Sequence, residues 1–276
     1  MLAIANNLTT RNRKVAEALK PRTAESISPK AAEKYRKERT DFIQNLAEQC
    51  VKAGADILEI NLQQRYDEPE IMKFAVETVQ KVTDHQLCLS SRNAETLKAG
   101  LRACQRPPIV NYISLSRDRL EETLPIAARY GAEVVLLIAD PTAPNSLDDI
   151  LKSAVVLAGA ANESGIPNNN IHLDPGVLHV TSDLGQRYSR TLLELLPALA
   201  ETFDPPVKTT CWINNVSAGA PRRLRPVINN TFLAMLGGVG LSSAFVDVLN
   251  KDIMRTIRLI KMLKDEAIYS DREVER

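Results

Sequence analysis

Histidine and cysteine are scarce in this chain: His85, His172 and His179, with Cys50, Cys88, Cys104 and Cys211, are all that 276 residues contain. The cysteines lie far apart and form no Cys-x-x-Cys pair, which speaks against a disulfide frame or a zinc site and for a reducing compartment. The histidines form neither His-Glu-x-x-His nor His-x-His, so no protein-bound metal is expected. Charge of one sign is not in excess either: 35 Lys and Arg against 34 Asp and Glu leave a formal net charge of +1. A nucleic-acid binder would carry a basic stripe, and the one compact basic cluster here is Arg222, Arg223 and Arg225. No apolar run approaches the roughly 18 residues that span a bilayer. The opening Met1–Asn7 lacks the charged, apolar and cleavage regions of a signal peptide. These absences together predict a soluble, cytoplasmic protein that engages neither nucleic acid nor membrane.

What is present is an alternation of short apolar β-type runs with longer helical patterns, the mark of βαβ units on a parallel sheet. Strands are predicted at Leu2–Ala5, Asp56–Ile60, Leu87–Ser90, Pro108–Ile113, Val134–Ala139, Ile171–Asp174, Lys208–Ile213 and Ser243–Val246. Helices are predicted over Ser28–Ala53, Glu68–Val82, a segment ending near Cys104, and a segment that Gly131 closes. Four more follow, over Leu147–Ser164, Ser189–Thr202, Pro226–Leu236 and Ile253–Leu263. Eight such units in a row close a (β/α)8 TIM barrel, and about 250 residues is the usual size of that fold. No Gly-x-Gly-x-x-Gly follows a strand, which disfavours a doubly wound sheet. With no linker or composition break, residues 1–276 are expected to form a single domain.

Barrel enzymes place their chemistry at the C-terminal ends of the strands. The polar residues there are Asn6, Asn61, Ser90 with Asn93, Asn111, Asp140, Asp174, Asn214 with Asn215, and Asp247. Each has a plain structural alternative. Asp174-Pro175-Gly176 and Asp140-Pro141 suit turns, Asn61 and Asn111 could cap the helices that follow, Asn214-Asn215 could be a simple loop, and Asp247 could lead a helix. His172 and Cys88, inside strands, suit the packed core. What favours a site is that so many Asn and Asp recur at consecutive strand ends. A buried carboxylate there needs a donor-rich ligand or neighbour, and a pterin ring is one such ligand, since its N3–H and 2-amino group point the same way. Asn side chains, both donor and acceptor, suit the mixed edge of the same ring. The ring of residues holds no Lys, His or Cys for Schiff-base, imidazole or thiolate chemistry. Gly237-Gly238 falls too late for a phosphate cradle.

Several stretches carry a family resemblance. Gly54-Ala-Asp-Ile-Leu-Glu-Ile-Asn61, Leu87-Cys-Leu-Ser-Ser-Arg-Asn93 and His172-Leu-Asp-Pro175 are similar to the pterin-binding barrel group. Pro206-Val-Lys-Thr-Thr-Cys-Trp-Ile-Asn-Asn-Val-Ser217, Val227-Ile-Asn-Asn-Thr-Phe-Leu-Ala-Met235 and Glu266-Ala-Ile-Tyr-Ser-Asp271 narrow the match. They resemble the methyltetrahydrofolate:corrinoid/iron–sulfur protein methyltransferases and their relatives in O-demethylase and glycine betaine pathways.

The resemblance implies a methyl transfer between a cobalamin-bearing corrinoid protein and N5 of tetrahydrofolate, with a homodimer as the family pattern. It also implies roles residue by residue. Asp174 would anchor the pterin and Asn111 contact its ring. Asn215 would reach N5, Asn61 and Asn214 line the same cup, and Arg225 stand near the folate entrance. The chain departs from the pattern in three places. Ser90 stands where the family usually has Asp, with Asp140 as a candidate replacement. Asn6-Asn7-Leu8-Thr9 replaces Glu-Arg-x-Asn, and the Ala218–Leu224 loop is longer and lacks the usual Gln. These departures point to a specialised branch, one receiving methyl groups from betaine or methoxy compounds. Dihydropteroate synthase is a competing barrel, disfavoured because Ser243-Ala-Phe-Val-Asp247 lacks its Arg-x-His. A methionine-synthase-like folate module, normally part of a longer chain, and a non-catalytic pterin-binding subunit are the remaining alternatives.

Overall fold

A computed structural model describes the chain except for residues 21–28, 117–118, 139–145 and 276. Eight parallel strands close on themselves in sequence order: β1 (Leu2–Thr9), β2 (Ile57–Asn61), β3 (Gln86–Ser90), β4 (Ile109–Ile113), β5 (Glu133–Leu137), β6 (Ile171–Asp174), β7 (Lys208–Trp212) and β8 (Ser243–Val246). The helices are α1 (Arg13–Leu19), α2 (Pro29–Ala53), α3 (Pro69–Val79), α4 (Ala94–Ala103), α5 (Leu124–Arg129), α6 (Leu147–Glu163), α7 (Asp183–Thr202), α8 (Arg225–Gly238), α9 (Lys251–Leu263) and α10 (Asp271–Glu275). This is the expected (β/α)8 barrel. Among the described residues no helix is long and apolar enough to cross a membrane.

Alternation along the strands sorts side chains into two cores. Leu58, Ile60, Leu87, Leu89, Val110, Val134, Leu136, Leu173 and Cys211 point outward and pack beneath helix residues such as Met72, Val76, Leu97 and Leu157. Inside the barrel Ile4, Ile57, Cys88, Ile109, Val135 and Phe245 form a separate apolar layer. Cys88 is thus a core group, as expected.

Three local departures have physical causes. β1 runs on to Thr9 rather than stopping at Ala5, because its register against β2 shifts between Ala5 and Leu8, so the polar Asn6 and Asn7 are carried within the strand. Asn7 then donates to Asp247 Oδ1 at 2.5 Å, tying the ends of β1 and β8 together. Helix α7 starts at Asp183, capped by Ser182, six positions before the expected Ser189. Gly185 disguises that start. A Cβ there would lie 1.9 Å from the His179 carbonyl oxygen, so the glycine serves close backbone approach rather than ending a helix. Helix α1 was not expected at all. It is short, and Asn12 caps it through an acceptor bond from the Lys14 N–H.

The base of the barrel is sealed by a polar cluster at the strand starts. Glu133 Oε2 accepts from Lys208 Nζ at 2.5 Å and pairs with His172 Nε2 at 2.7 Å, while Gln86 Nε2 donates to Oε1 at 3.0 Å. His172 is therefore an interior group with a carboxylate partner, not merely packed.

Candidate active site

A cavity of about 260 Å³ opens at the other end of the barrel, and it is lined by residues that include Asn61, Asn111, Leu137, Asp174, Trp212 and Asn215. Strand pairing explains the convergence. Asn61, Ser90 and Asn111 are direct neighbours across β2, β3 and β4, so their side chains form one row on the inner wall. Leu137 pairs with Asp174 on the far side. In a ring of eight strands, β2 and β6 stand opposite each other, so Asp174 faces this row across the lumen.

Asp174 ends β6 and is 5% exposed. Its Oδ1 accepts the Gly176 N–H at 2.8 Å. Gly176 has φ of 71°, a left-handed conformation that glycine adopts without strain. The Asp-Pro-Gly segment is thus both a turn and part of the cavity wall. Tyr188 secures it from outside, its hydroxyl donating to the Pro175 carbonyl. Burial raises the Asp174 carboxyl from 3.8 to about 7, against the single opposing bond from Gly176. A carboxylate in that state gains most from a ligand that brings its own N–H donors.

The opposite wall holds a carboxylate that the motifs did not mark. Glu59 lies two residues before Asn61 on the same face of β2, completely buried. Its Oε1 accepts from Ser90 Oγ at 2.5 Å, from Asn61 Nδ2 at 3.0 Å and from Asn111 Nδ2 at 3.3 Å. Asn111 Nδ2 also donates to Ser90 Oγ at 2.9 Å. Burial pushes Glu59 up from 4.5 to about 7, although these three bonds and the Arg11 charge work in the other direction. Among the described residues two acceptors of this cluster, Glu59 Oε2 and Asn111 Oδ1, have no donor, and nearby Gln63 Nε2 has no acceptor. The signal for Glu59 was a lone acid inside the otherwise apolar Ile-Leu-Glu-Ile run.

The remaining expected site residues fall in different places. Asn61 lines the cavity; its Oδ1 accepts the Gln63 N–H at 3.1 Å, so it is not a helix cap. Ser90 lies behind the lining, bound to Glu59 as described. Asn215 sits exposed at the rim, on a 3-10 turn over Ile213–Ser217. Its neighbour Asn214 is turned away from the cavity lining and accepts from Asn229 Nδ2 at 3.1 Å. Arg225 is also outside the lining, its Nε donating to the Ala220 carbonyl at 2.9 Å. The guanidinium groups that do line the mouth belong to Arg11 and Arg92. Asn93 caps α4, accepting from Glu95 N and Thr96 N, and Asn6 is not part of the cavity. Asp140 lies outside the described residues. A carboxylate beside Ser90 is nonetheless present, and it is Glu59.

An interior of buried carboxylates and carboxamides, closed below and open at the strand ends, is a receptacle for a small, flat, donor-rich ring. The family model of pterin binding enzymes matches residues 28–235, and the chain belongs to that family. A methylcorrinoid:tetrahydrofolate methyltransferase of Eubacterium limosum is 26% identical to it over 220 residues, 78% of this chain and 79% of the relative. Among solved structures, a Yersinia pestis dihydropteroate synthase with a pterine-sulfa conjugate superposes with a TM-score of 0.67 at 19% identity, covering 83% of this chain and 90% of that one. A dihydropteroate synthetase with a bound product gives 0.69 at 17% identity, covering 96% and 93%. At such identities these two structures speak for the barrel fold alone.

Proposed function

We propose that this protein transfers a methyl group from a corrinoid carried by a partner protein to N5 of tetrahydrofolate. The observation that carries the reading is the convergence of Asp174, Asn111, Asn61 and Asn215 on one cavity at the strand ends. The similarity to the Eubacterium limosum enzyme supports the choice of reaction. The cavity suits the bicyclic ring, leaving the benzoyl-glutamate tail to lie across the mouth.

The corrinoid's cobalt supplies the activated methyl group, and this chain supplies binding, orientation and control of charge at N5. Asp174 takes the ring N3–H and 2-amino donors, which favours its ionised form. Asn215, at the rim, offers a carboxamide to N5. Its oxygen accepts the N5–H and so turns the nitrogen lone pair toward the incoming methyl. As the N5–C bond forms, the methyl group would part from its carrier and leave the bonding electron pair on the partner's corrinoid; N5 becomes cationic, and its proton leaves to water at the rim. In the reverse direction the Asn215 N–H donates to N5 and makes it a better leaving group. Holding N5 at the open end allows a partner to approach it directly.

The test is to mix the protein with methylcobalamin and tetrahydrofolate and follow the cobalamin spectrum. Asn215→Ala is expected to lower kcat roughly 100-fold, as loss of one preorganised polar contact does, with folate affinity nearly unchanged. Asp174→Ala is expected to abolish folate binding in a titration. Equal losses of both parameters in both variants would sink these roles, and absence of methyl exchange alongside intact folate binding would identify a non-catalytic pterin-binding subunit.

A further inference from the structure

We infer that Glu59 is a positioning residue that makes the cavity select a reduced pterin ring over an oxidised one, by fixing which way the Asn111 carboxamide faces. The inference rests on the proposed folate site and adds a specificity element to it.

The argument is one of hydrogen-bond polarity. Above pH 7, where Glu59 is ionised, its carboxylate accepts and never donates, so an amide within reach must turn its NH2 group toward it. Both neighbouring amides obey: Asn61 and Asn111 each direct Nδ2 at Glu59 Oε1. Ser90 completes the arrangement by donating to Glu59 and accepting from Asn111. Asn111 therefore has its donors consumed and its carbonyl oxygen left over, and that oxygen has no partner among the described residues. Asn61 differs, because its oxygen is already taken by the Gln63 N–H.

On this wall the cavity thus meets a ligand with an acceptor, backed by a second unpartnered acceptor on Glu59. A tetrahydropterin carries N–H groups at N5 and N8, and with the N5–H taken by Asn215 the N8–H can supply the missing donor. A fully oxidised pterin carries bare lone pairs at the same two atoms, so acceptor would face acceptor. The free donor of Gln63 suits the ring carbonyl, which both oxidation states share, and does not discriminate. One buried acceptor left unsatisfied costs enough to shift affinity by roughly tenfold or more.

The experiment compares tetrahydrofolate with folic acid, which bear the same tail, by titration calorimetry at pH 8 on wild type and Glu59→Gln. Wild type is expected to prefer the reduced ligand by at least about tenfold. Glu59→Gln keeps the shape but can donate as well as accept, freeing the Asn111 amide to flip, and the preference should fall most of the way to unity. Equal wild-type affinity for the two ligands overturns the inference without needing any variant to fold. So does an unchanged preference in Glu59→Gln. Failure of wild type to bind either ligand overturns the folate reading itself, and this inference with it.

Discussion

Two glutamates stand inside the same barrel, Glu133 at its base and Glu59 toward its mouth, and their carboxyl groups are driven in opposite directions. Both lose hydration on burial, which raises both. Around Glu133 the desolvation is outweighed by His172, Lys208 and Gln86, so its pKa falls to about 2. Around Glu59 the close partners are neutral, Ser90, Asn61 and Asn111, with only the more remote charge of Arg11, and its pKa climbs to about 7. At the base the Glu133 carboxylate is fully partnered and structural, although His172 Nδ1 has no partner among the described residues. The mouth is left short of donors, at the expense of stability, as expected where a ligand must complete the set.

The largest effect should come from breaking the base. Glu133→Ala leaves buried His172 Nε2 without its partner while the part-exposed Lys208 can hydrate, and should cost about 3 kcal/mol of unfolding free energy at pH 7 in urea titration. A loss below about 1 kcal/mol would show that the cluster is no more than a surface-type ion pair.

Second, the two glutamates should have opposite pH signatures. Glu59 has a raised folded pKa, so its contribution is fully present below pH 4.5 and is lost as pH rises toward 7. Glu59→Gln should therefore be more stable than wild type at pH 8, by on the order of 3 kcal/mol, and indistinguishable from it near pH 4. Glu133 has a depressed folded pKa, and its contribution is present above pH 4.5 and lost as pH falls toward 2. Parallel trends for the two variants across pH 2 to 8 would refute the contrast.

Third, folate binding that demands an ionised Asp174 should tighten about tenfold between pH 5.5 and 7.5, with proton release visible as a buffer-dependent binding enthalpy. A flat profile would mean the ligand does not recruit that carboxylate. The smallest effect is expected at Arg225. Its replacement by Ala should change folate affinity by no more than about threefold, since a partly exposed group bound to a backbone carbonyl contributes little to a cavity it does not line.

The architecture was legible because strand and helix periods differ and eight repeats leave one simple closure. β6 and β8 have the boundaries that their apolar runs imply. The position of Asp174 at a strand end was legible for the same reason, since it closes the Ile171-His-Leu-Asp174 run. Other features depended on direction rather than position. Asn214 and Asn215 are adjacent in sequence, yet on a 3-10 turn successive side chains diverge by about a third of a turn, so one lines the cavity and the other does not. Asn93 looked like a rim residue because caps and strand ends favour the same side chains. Glu59 was hidden by its setting: an acid in a buried strand gives no motif, and its meaning comes only from the three donors that neighbouring strands bring to it.

Trp212, the one tryptophan in the chain, stacks on Phe245 with ring centroids 4.6 Å apart and planes 5° apart, and it also lines the cavity. Nature has thereby placed an intrinsic fluorophore on the wall of the receptacle. Occupancy by any aromatic heterocycle should quench or shift its emission, so the unlabelled protein can report its own filling in real time, with no background from other indoles.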